Sequence, residues 1–143
     1  MSAVQNSIPV LGSYPGWSVG NNKAGIEIEV VIDLECGDCL RENAVWNEVL
    51  KSKWLDSTVE DQVQWRYSLM PEPYHFHGFA ISQVVPYLQA KCATDNKCLL
   101  NEYRDWVYSD DVHRTIDDDA MKLGKYEFQS FWALKVAEQF KFD

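Results

Sequence analysis

The stretch IEIEVVIDLECGDC, residues 26–39, decides the fold of this chain. From Ile26 to Leu34 the residue types alternate, so that five apolar side chains share one face, which predicts a β-strand. From Cys39 to about Trp54 the apolar residues recur at helical spacing, which predicts an amphipathic helix. The pair Cys36 and Cys39 therefore stands where a strand ends and a helix begins.

This position favours redox chemistry at the cysteine pair. Unpaired N–H groups and the helix dipole stabilise a thiolate at Cys36, and Cys39 lies one turn further on, where it can resolve a mixed disulfide. Glu35 and Asp38 act in the opposite direction, because carboxylates beside a thiolate disfavour the charged sulfur. Two other interpretations stay open for the pair: half of a metal site, or an inert structural pair.

The remainder of the chain predicts one more strand and then helices. Val63–Met70 is the second strand, and the apolar residues behind it recur at helical spacing. Pro86 lies inside the first of these helices and is expected to kink it. Thr115 followed by Asp118 predicts an N-cap, and Gly124 predicts the end of the same helix. The predicted order is strand, helix, strand and then four helices.

Composition and charge exclude several classes of function. The chain has 143 residues, of which 46% are hydrophobic, and a formal net charge of −9, values typical of one globular domain. An acidic chain without a Lys/Arg cluster repels phosphate backbones, so nucleic-acid binding is not expected. The acidic residues at positions 110–119 lack the spacing of an EF-hand and are interpreted as a solvated loop and helix N-terminus.

The chain shows no sign of a membrane span or a secretion signal. No apolar run reaches the roughly 18 residues that a spanning helix needs, and the first residues lack a basic segment followed by an apolar core. We therefore expect a soluble protein. Its compartment stays open: extracytoplasmic if a signal segment was removed, and cytoplasmic otherwise.

A second cysteine pair, Cys92 and Cys98, flanks the turn between two predicted helices. A disulfide across this turn would be a local staple that contributes about 2–3 kcal/mol to stability. Two buried free thiols are an alternative, because cysteine is often a small core residue. A zinc site made from all four cysteines is a third, although the spacing of Cys92 and Cys98 is wide for a zinc knuckle.

Two local patterns resemble the DsbA-like branch of the thioredoxin superfamily. In VVIDLECGDC, Asp33 stands three residues before the first cysteine, as in the D-x-x-C-x-x-C ending of that family's first core strand. In SLMPEPYHFHGFAISQ, a strand leads into Pro73, Tyr74 and His75 and then a helix, similar to the segment that introduces the family's helical insertion. The lead-in GWSVGNNKAG is also similar, so the resemblance covers roughly residues 17–90.

The resemblance implies an α/β fold, a thioredoxin-like β-α-β unit with an inserted, mostly helical subdomain. It implies one domain over residues 1–143, with a lead-in at 1–25, a core at 26–76 and a helical insertion at 77–143. Cys36 would be the attacking nucleophile and Cys39 the resolving thiol of a thiol–disulfide oxidoreductase, without an external cofactor or a metal. Asp33 and His75 are possible supporting residues; the alternative for His75 and His77 is to cap the following helix or to face solvent.

The chain departs from the family pattern at several positions. Gly37 stands where the family has proline, and Val30 stands where it has a buried acid. No proline follows Pro86, so the strand with the cis-proline opposite the cysteines is missing and the sheet is incomplete. Ile26–Leu34 is then expected inside the sheet, with Val63–Met70 beside an unpaired edge that invites another strand.

The resemblance and these departures together indicate which partners to expect. The substrate would be a protein or peptide thiol or disulfide, and the sheet would be completed by self-association, a partner or a further segment of the same protein. The rival hypothesis is a non-enzymatic thioredoxin-like interaction module or a subunit of a larger assembly, which would tolerate the missing strand.

Overall fold

The computed structural model of the chain describes residues 16–95 and 97–142. Its strands are β1 Trp17–Gly20, β2 Ile26–Ile32, β3 Lys53–Trp54, β4 Ser57–Thr58 and β5 Val63–Leu69. Its helices are α1 Gly37–Lys51, α2 Val59–Gln62, α3 Gly78–Ser82, α4 Val84–Asp95, α5 Leu100–Val107, α6 Asp110–Arg114, a π-helix Thr115–Ala120, and α7 Lys125–Phe140. The mixed α/β class predicted from the sequence is confirmed. Residues 1–15 of the predicted lead-in lie outside the described residues.

The main sheet has the strand order β1-β5-β2, with β1 antiparallel and β2 parallel to β5. The strand β5 lies in the middle, and its alternate residues Val63, Trp65 and Tyr67 are at most 2% exposed. A half-buried Trp46 of α1 packs on Trp65 with ring centroids 5.0 Å apart. The helix that begins at the cysteines is thus packed on the central strand.

The sequence prediction of which strand lies at the edge was wrong. Ile26–Leu34 was expected inside the sheet and Val63–Met70 at its border, whereas β5 is central and β2 lies at the edge. The reason is β1, which lies in the segment that the resemblance assigns to the lead-in. It ends at Gly20, with a φ of 80°, where a Cβ atom would lie 2.6 Å from the Val63 carbonyl oxygen, so only glycine lets the chain turn this close to β5.

The outer edge of β2 has no strand beside it within the described residues. The N–H of Met70 donates to the carbonyl of Ile32 at 2.9 Å, so Ile32 directs its backbone groups toward β5. Because neighbouring residues of a strand point their backbone groups to opposite sides, Val31 directs its own toward the open edge. The Val31 side chain is 51% exposed.

The helix α1 begins at Gly37, two residues before the predicted start, because Cys36 occupies the N-cap position. The expected kink at Pro86 is absent: one helix ends at Ser82, and α4 begins at Val84. Pro86 therefore falls in the first turn of α4, where its missing N–H removes no intrahelical hydrogen bond.

Two further predictions of helix ends were wrong. Thr115 does not cap a helix, because α6 runs directly into the π-helix and the Thr115 hydroxyl donates to the Asp111 carbonyl at 2.9 Å. Gly124 is the N-cap residue of α7 and does not end the preceding helix. Both errors arise because serine, threonine and glycine can occupy several positions near a helix end, and spacing alone does not choose between them.

The predicted stripe of α7 faces the core. Phe128, Trp132 and Val136 are at most 5% exposed, and the ring of His77 stacks on Phe128 at a centroid distance of 3.7 Å. The buried apolar residues of the sheet and of the helices belong to one contiguous cluster. Among the described residues, none of the helices has the length and apolar character needed to cross a membrane.

Candidate functional site

Cys36 and Cys39 lie together at the start of α1 as free, half-buried thiols. Cys36 has extended backbone angles, φ −78° and ψ 119°, and its sulfur accepts a hydrogen bond from the Cys39 N–H at 3.4 Å. The sulfur thus takes the place of the hydroxyl or carboxylate oxygen that usually caps a helix. A backbone N–H and the positive end of the helix dipole therefore face this sulfur.

The thiol of Cys39 is held in its protonated form. Burial raises its pKa to about 11, and the neighbouring Cys36 and Asp33 side chains act in the same direction. Its thiol group is also hydrogen-bonded to the Cys36 side chain. At neutral pH Cys39 therefore carries a proton that can stabilise a thiolate at Cys36, which is the division of roles that an attacking and a resolving cysteine need.

Asp33 holds together the turn that carries the cysteines. The carboxylate is 3% exposed and accepts hydrogen bonds from the Glu35 N–H at 2.9 Å and from the Glu72 N–H at 2.6 Å. It also accepts from His75 Nδ1 at 2.6 Å. The bond to Glu35 bends the chain out of β2 two residues earlier than predicted, and the other bonds tie this bend to the segment after β5.

The two histidines of the segment after β5 do not follow the alternative of capping the next helix or facing solvent. His75 bonds to Asp33, with 20% of its side chain exposed. His77 is 1% exposed, and its Nε2 lies 2.9 Å from the Ala120 carbonyl oxygen, so it neither faces solvent nor caps α3 with its side chain. The structure therefore brings together Asp33 and His75, the two residues predicted to support the cysteines.

Glu35 is buried, whereas sequence analysis treated it as a charged carboxylate beside Cys36. It is 5% exposed, and its Oε2 accepts a hydrogen bond from the His77 N–H at 2.8 Å. Burial raises the pKa of the Glu35 carboxyl, although that hydrogen bond and the charges of His77 and His75 act against the rise. Because burial favours the neutral acid, Glu35 opposes a thiolate at Cys36 less than an exposed carboxylate would.

Asp38, the second acidic neighbour, is paired with Arg41 one turn along α1, and both side chains are exposed. A guanidinium nitrogen of Arg41 comes within 3.9 Å of the place where a Cβ atom on Gly37 would lie. The positive charge of Arg41 therefore offsets the carboxylate of Asp38 beside the N-terminus of α1.

Tyr108 is a site residue that sequence reasoning missed. Its hydroxyl donates to the Asp33 carbonyl oxygen at 2.9 Å, and the side chain is buried. Burial raises the pKa of Tyr108, and Cys39, Asp33 and Cys36 add to the rise, so the phenol stays protonated beside the cysteines. No motif marks this residue, since it lies 75 positions along the chain from Asp33.

Comparisons of this chain with protein-family models, with curated proteins and with solved structures found no match.

The second cysteine pair is joined by a disulfide between Cys92 in α4 and Cys98 in the turn after it. A sulfur in a disulfide cannot serve as a thiolate ligand, so the four-cysteine zinc alternative does not describe this structure. Among residues 16–95 and 97–142, no group of three or more His, Cys, Asp or Glu side chains is placed to hold a metal ion.

Removing this disulfide is expected to lower the free energy of unfolding by about 2–3 kcal/mol, because the cross-link restricts the unfolded chain over a short loop. The double variant Cys92→Ala/Cys98→Ala avoids a leftover thiol, and urea denaturation without reductant measures the loss. The same comparison in reductant is the control, where the two proteins should differ far less. Equal stability without reductant would show that the cross-link does not contribute.

Proposed function

We propose that this chain is a thiol–disulfide oxidoreductase of the DsbA-like branch of the thioredoxin superfamily, acting on protein or peptide thiols. The observation that carries the proposal is the position of Cys36. It caps a helix that directly follows a strand, and its sulfur accepts the Cys39 N–H at 3.4 Å. A helix N-terminus stabilises the thiolate, which is the nucleophile in disulfide exchange.

The reaction starts from the reduced pair. The Cys36 thiolate attacks one sulfur of a substrate disulfide, which forms a mixed disulfide and releases the other substrate sulfur as a thiolate that takes up a proton. Cys39 then loses its proton and attacks the Cys36 sulfur, which closes the Cys36–Cys39 disulfide and releases the second substrate thiolate. Two electrons pass from the cysteine pair to the substrate, and the reverse sequence oxidises a substrate dithiol.

In this proposal Asp33 and His75 act as positioning residues. The Asp33 carboxylate fixes the bend that leads into Cys36, and the bond of 2.6 Å to His75 ties this bend to the segment after β5. The Asp33 backbone N–H also acts on the Cys39 sulfur and lowers its pKa, against the larger effect of burial. This contact eases the proton loss of Cys39 that the second step requires.

The proposal predicts that Cys36 reacts with iodoacetamide at least about tenfold faster than Cys39 at pH 7.5. With its pKa raised to about 11, Cys39 has only about one thiolate in three thousand molecules at this pH, whereas an ordinary cysteine has about one in ten. Alkylation of Cys39 should then rise about tenfold per pH unit up to pH 11. Mass spectrometry of tryptic peptides gives the rate for each cysteine.

A trapping experiment separates the enzyme from the interaction module. With a disulfide-linked peptide as substrate, Cys39→Ser should accumulate the mixed disulfide on Cys36, and Cys36→Ser should accumulate none. The wild type should release two peptide thiols per chain and form the internal disulfide. Equal alkylation rates for Cys36 and Cys39, together with no mixed disulfide, would overturn the proposal in favour of a non-enzymatic module.

A further inference from the structure

His113 lies against the turn that carries Cys36, although it is 78 positions away from Glu35 in the chain. It belongs to α6 and is 8% exposed. Its Nε2 is 3.0 Å from the Glu35 carbonyl oxygen, the last carbonyl before Cys36. Its Cε1 is 3.8 Å from the place where a Cβ atom on Gly37 would lie, so the ring lies near the residues before and after Cys36.

Both ring nitrogens of His113 lie within hydrogen-bonding distance of an oxygen that accepts hydrogen bonds. A carbonyl oxygen has no proton to give, so Nε2 must carry a hydrogen and donate it to Glu35. The other nitrogen, Nδ1, is 3.2 Å from the carboxylate of Asp117, which also only accepts when ionised. A neutral ring with its hydrogen on Nε2 would turn a lone pair toward that carboxylate, whereas an imidazolium donates to both partners.

The ring lies in an acidic cleft, in which carboxylates outnumber guanidinium groups. Arg114 pairs with Asp111, and Arg41 pairs with Asp38, so both positive charges are partly offset. The charged and titratable groups around the ring are Asp110, Arg114, Asp117 and Asp118 from α6 and the π-helix, Arg41 with its partner Asp38 from α1, and Glu35 from the turn before α1.

We propose that His113 is a positioning residue of the cysteine site: as an imidazolium held between Glu35 and Asp117, it fixes the turn before α1 and places a positive charge beside Cys36. The reactivity of Cys36 then depends on the protonation of His113 as well as on the helix dipole. This inference rests on the proposed function, because it assigns to His113 a part in activating the nucleophile. A positive charge close to a thiol increases its thiolate fraction at a given pH.

The test is the pH profile of Cys36 alkylation by iodoacetamide between pH 4 and 9, with the Cε1–H resonance of His113 followed by NMR over the same range. In the wild type, the rate profile should bend at the pH where His113 titrates. His113→Gln keeps an N–H donor for the Glu35 carbonyl but removes the charge. It should lower the Cys36 rate at pH 6 by about three- to tenfold and leave a profile with one inflection.

A second variant and a control keep the test valid if His113→Gln does not fold. Asp117→Asn removes the carboxylate partner from a half-exposed position, so it should lower the Cys36 rate at pH 6 and shift the His113 resonance titration to lower pH. Asp118→Asn removes the same charge from the same cleft without removing a partner of the ring, so it should change both profiles much less than Asp117→Asn does.

The outcomes distinguish the two proposals. If Cys36 reacts fast in the wild type but the profiles of His113→Gln and Asp117→Asn coincide with the wild-type profile, the role of His113 is overturned and the oxidoreductase stands. If Cys36 in the wild type reacts no faster than Cys39 and no mixed disulfide forms, the oxidoreductase itself is overturned, and the role of His113 with it.

Discussion

Replacing Asp33 by alanine is expected to lower the free energy of unfolding by about 3–5 kcal/mol. The carboxylate is 3% exposed and accepts from two backbone N–H groups and from His75. Without it, three donors lose their acceptor in a place that water reaches poorly, and each unsatisfied buried donor costs about 1–3 kcal/mol. Urea denaturation followed by circular dichroism measures the loss.

Two further variants show whether the hydrogen bonds are the cause. Asp33→Asn keeps one carbonyl oxygen and the side-chain shape, so its loss should lie between the wild type and Asp33→Ala. The exposed Asp56 is the matched control, because Asp56→Ala removes the same group at the surface and should change stability by about 0.5 kcal/mol or less. A loss under about 1 kcal/mol for Asp33→Ala would mean that the bend before Cys36 is held mainly by other contacts.

The second large effect follows from the open edge of β2. We expect the chain alone to self-associate and not to be a stable monomer. An unpaired edge presents N–H and C=O groups that pair with another strand, and Val31 directs its backbone groups to this side. Sedimentation of the 143-residue chain should therefore give a mass above 16.5 kDa, unless a partner that completes the sheet is supplied.

Val31→Pro tests whether this edge is responsible. Proline removes one N–H from the open side and leaves the hydrogen bonds between β2 and β5, so self-association should fall sharply. Val31→Thr keeps the N–H and a β-branched side chain, and it should associate like the wild type. A cooperative melt from a clean monomer of about 16.5 kDa in the wild type would refute the prediction.

Local sequence patterns were sufficient to find β2, α1 and β5, but only in β5 does the burial follow the predicted alternation closely. In α1 only Leu50 is buried, and Trp54, predicted to be helical, lies in β3. Local patterns were insufficient for β1, a four-residue strand that has little pattern of its own and exists through its pairing with β5. The sheet order depended on this strand, so the edge was assigned to the wrong side. The π-helix likewise has no sequence signal that separates it from an ordinary helix.

The residues of the candidate site also fall into those that local sequence reveals and those that it does not. Cys36 and Cys39 could be found because their spacing and their place before a helix are local features. Asp33 and His75 could be suggested only through a resemblance, which the comparisons leave as a proposal. Tyr108 and His113 could not be found, since each reaches the turn at Cys36 across 75 or more positions and neither belongs to a repeating pattern.

The packing of α1 on the sheet has an optical consequence. Neighbouring rings form a series from Trp17 through Tyr67 and Trp65 to Trp46, with centroid distances of 5.2, 6.3 and 5.0 Å. Indole rings this close couple their electronic transitions, so Trp46 and Trp65 should give a paired signal in near-ultraviolet circular dichroism. Trp46 lies on the helix that begins beside Cys36, so any shift of this helix on oxidation would change the signal. The protein thus contains its own spectroscopic reporter of the cysteine pair, and no label is needed.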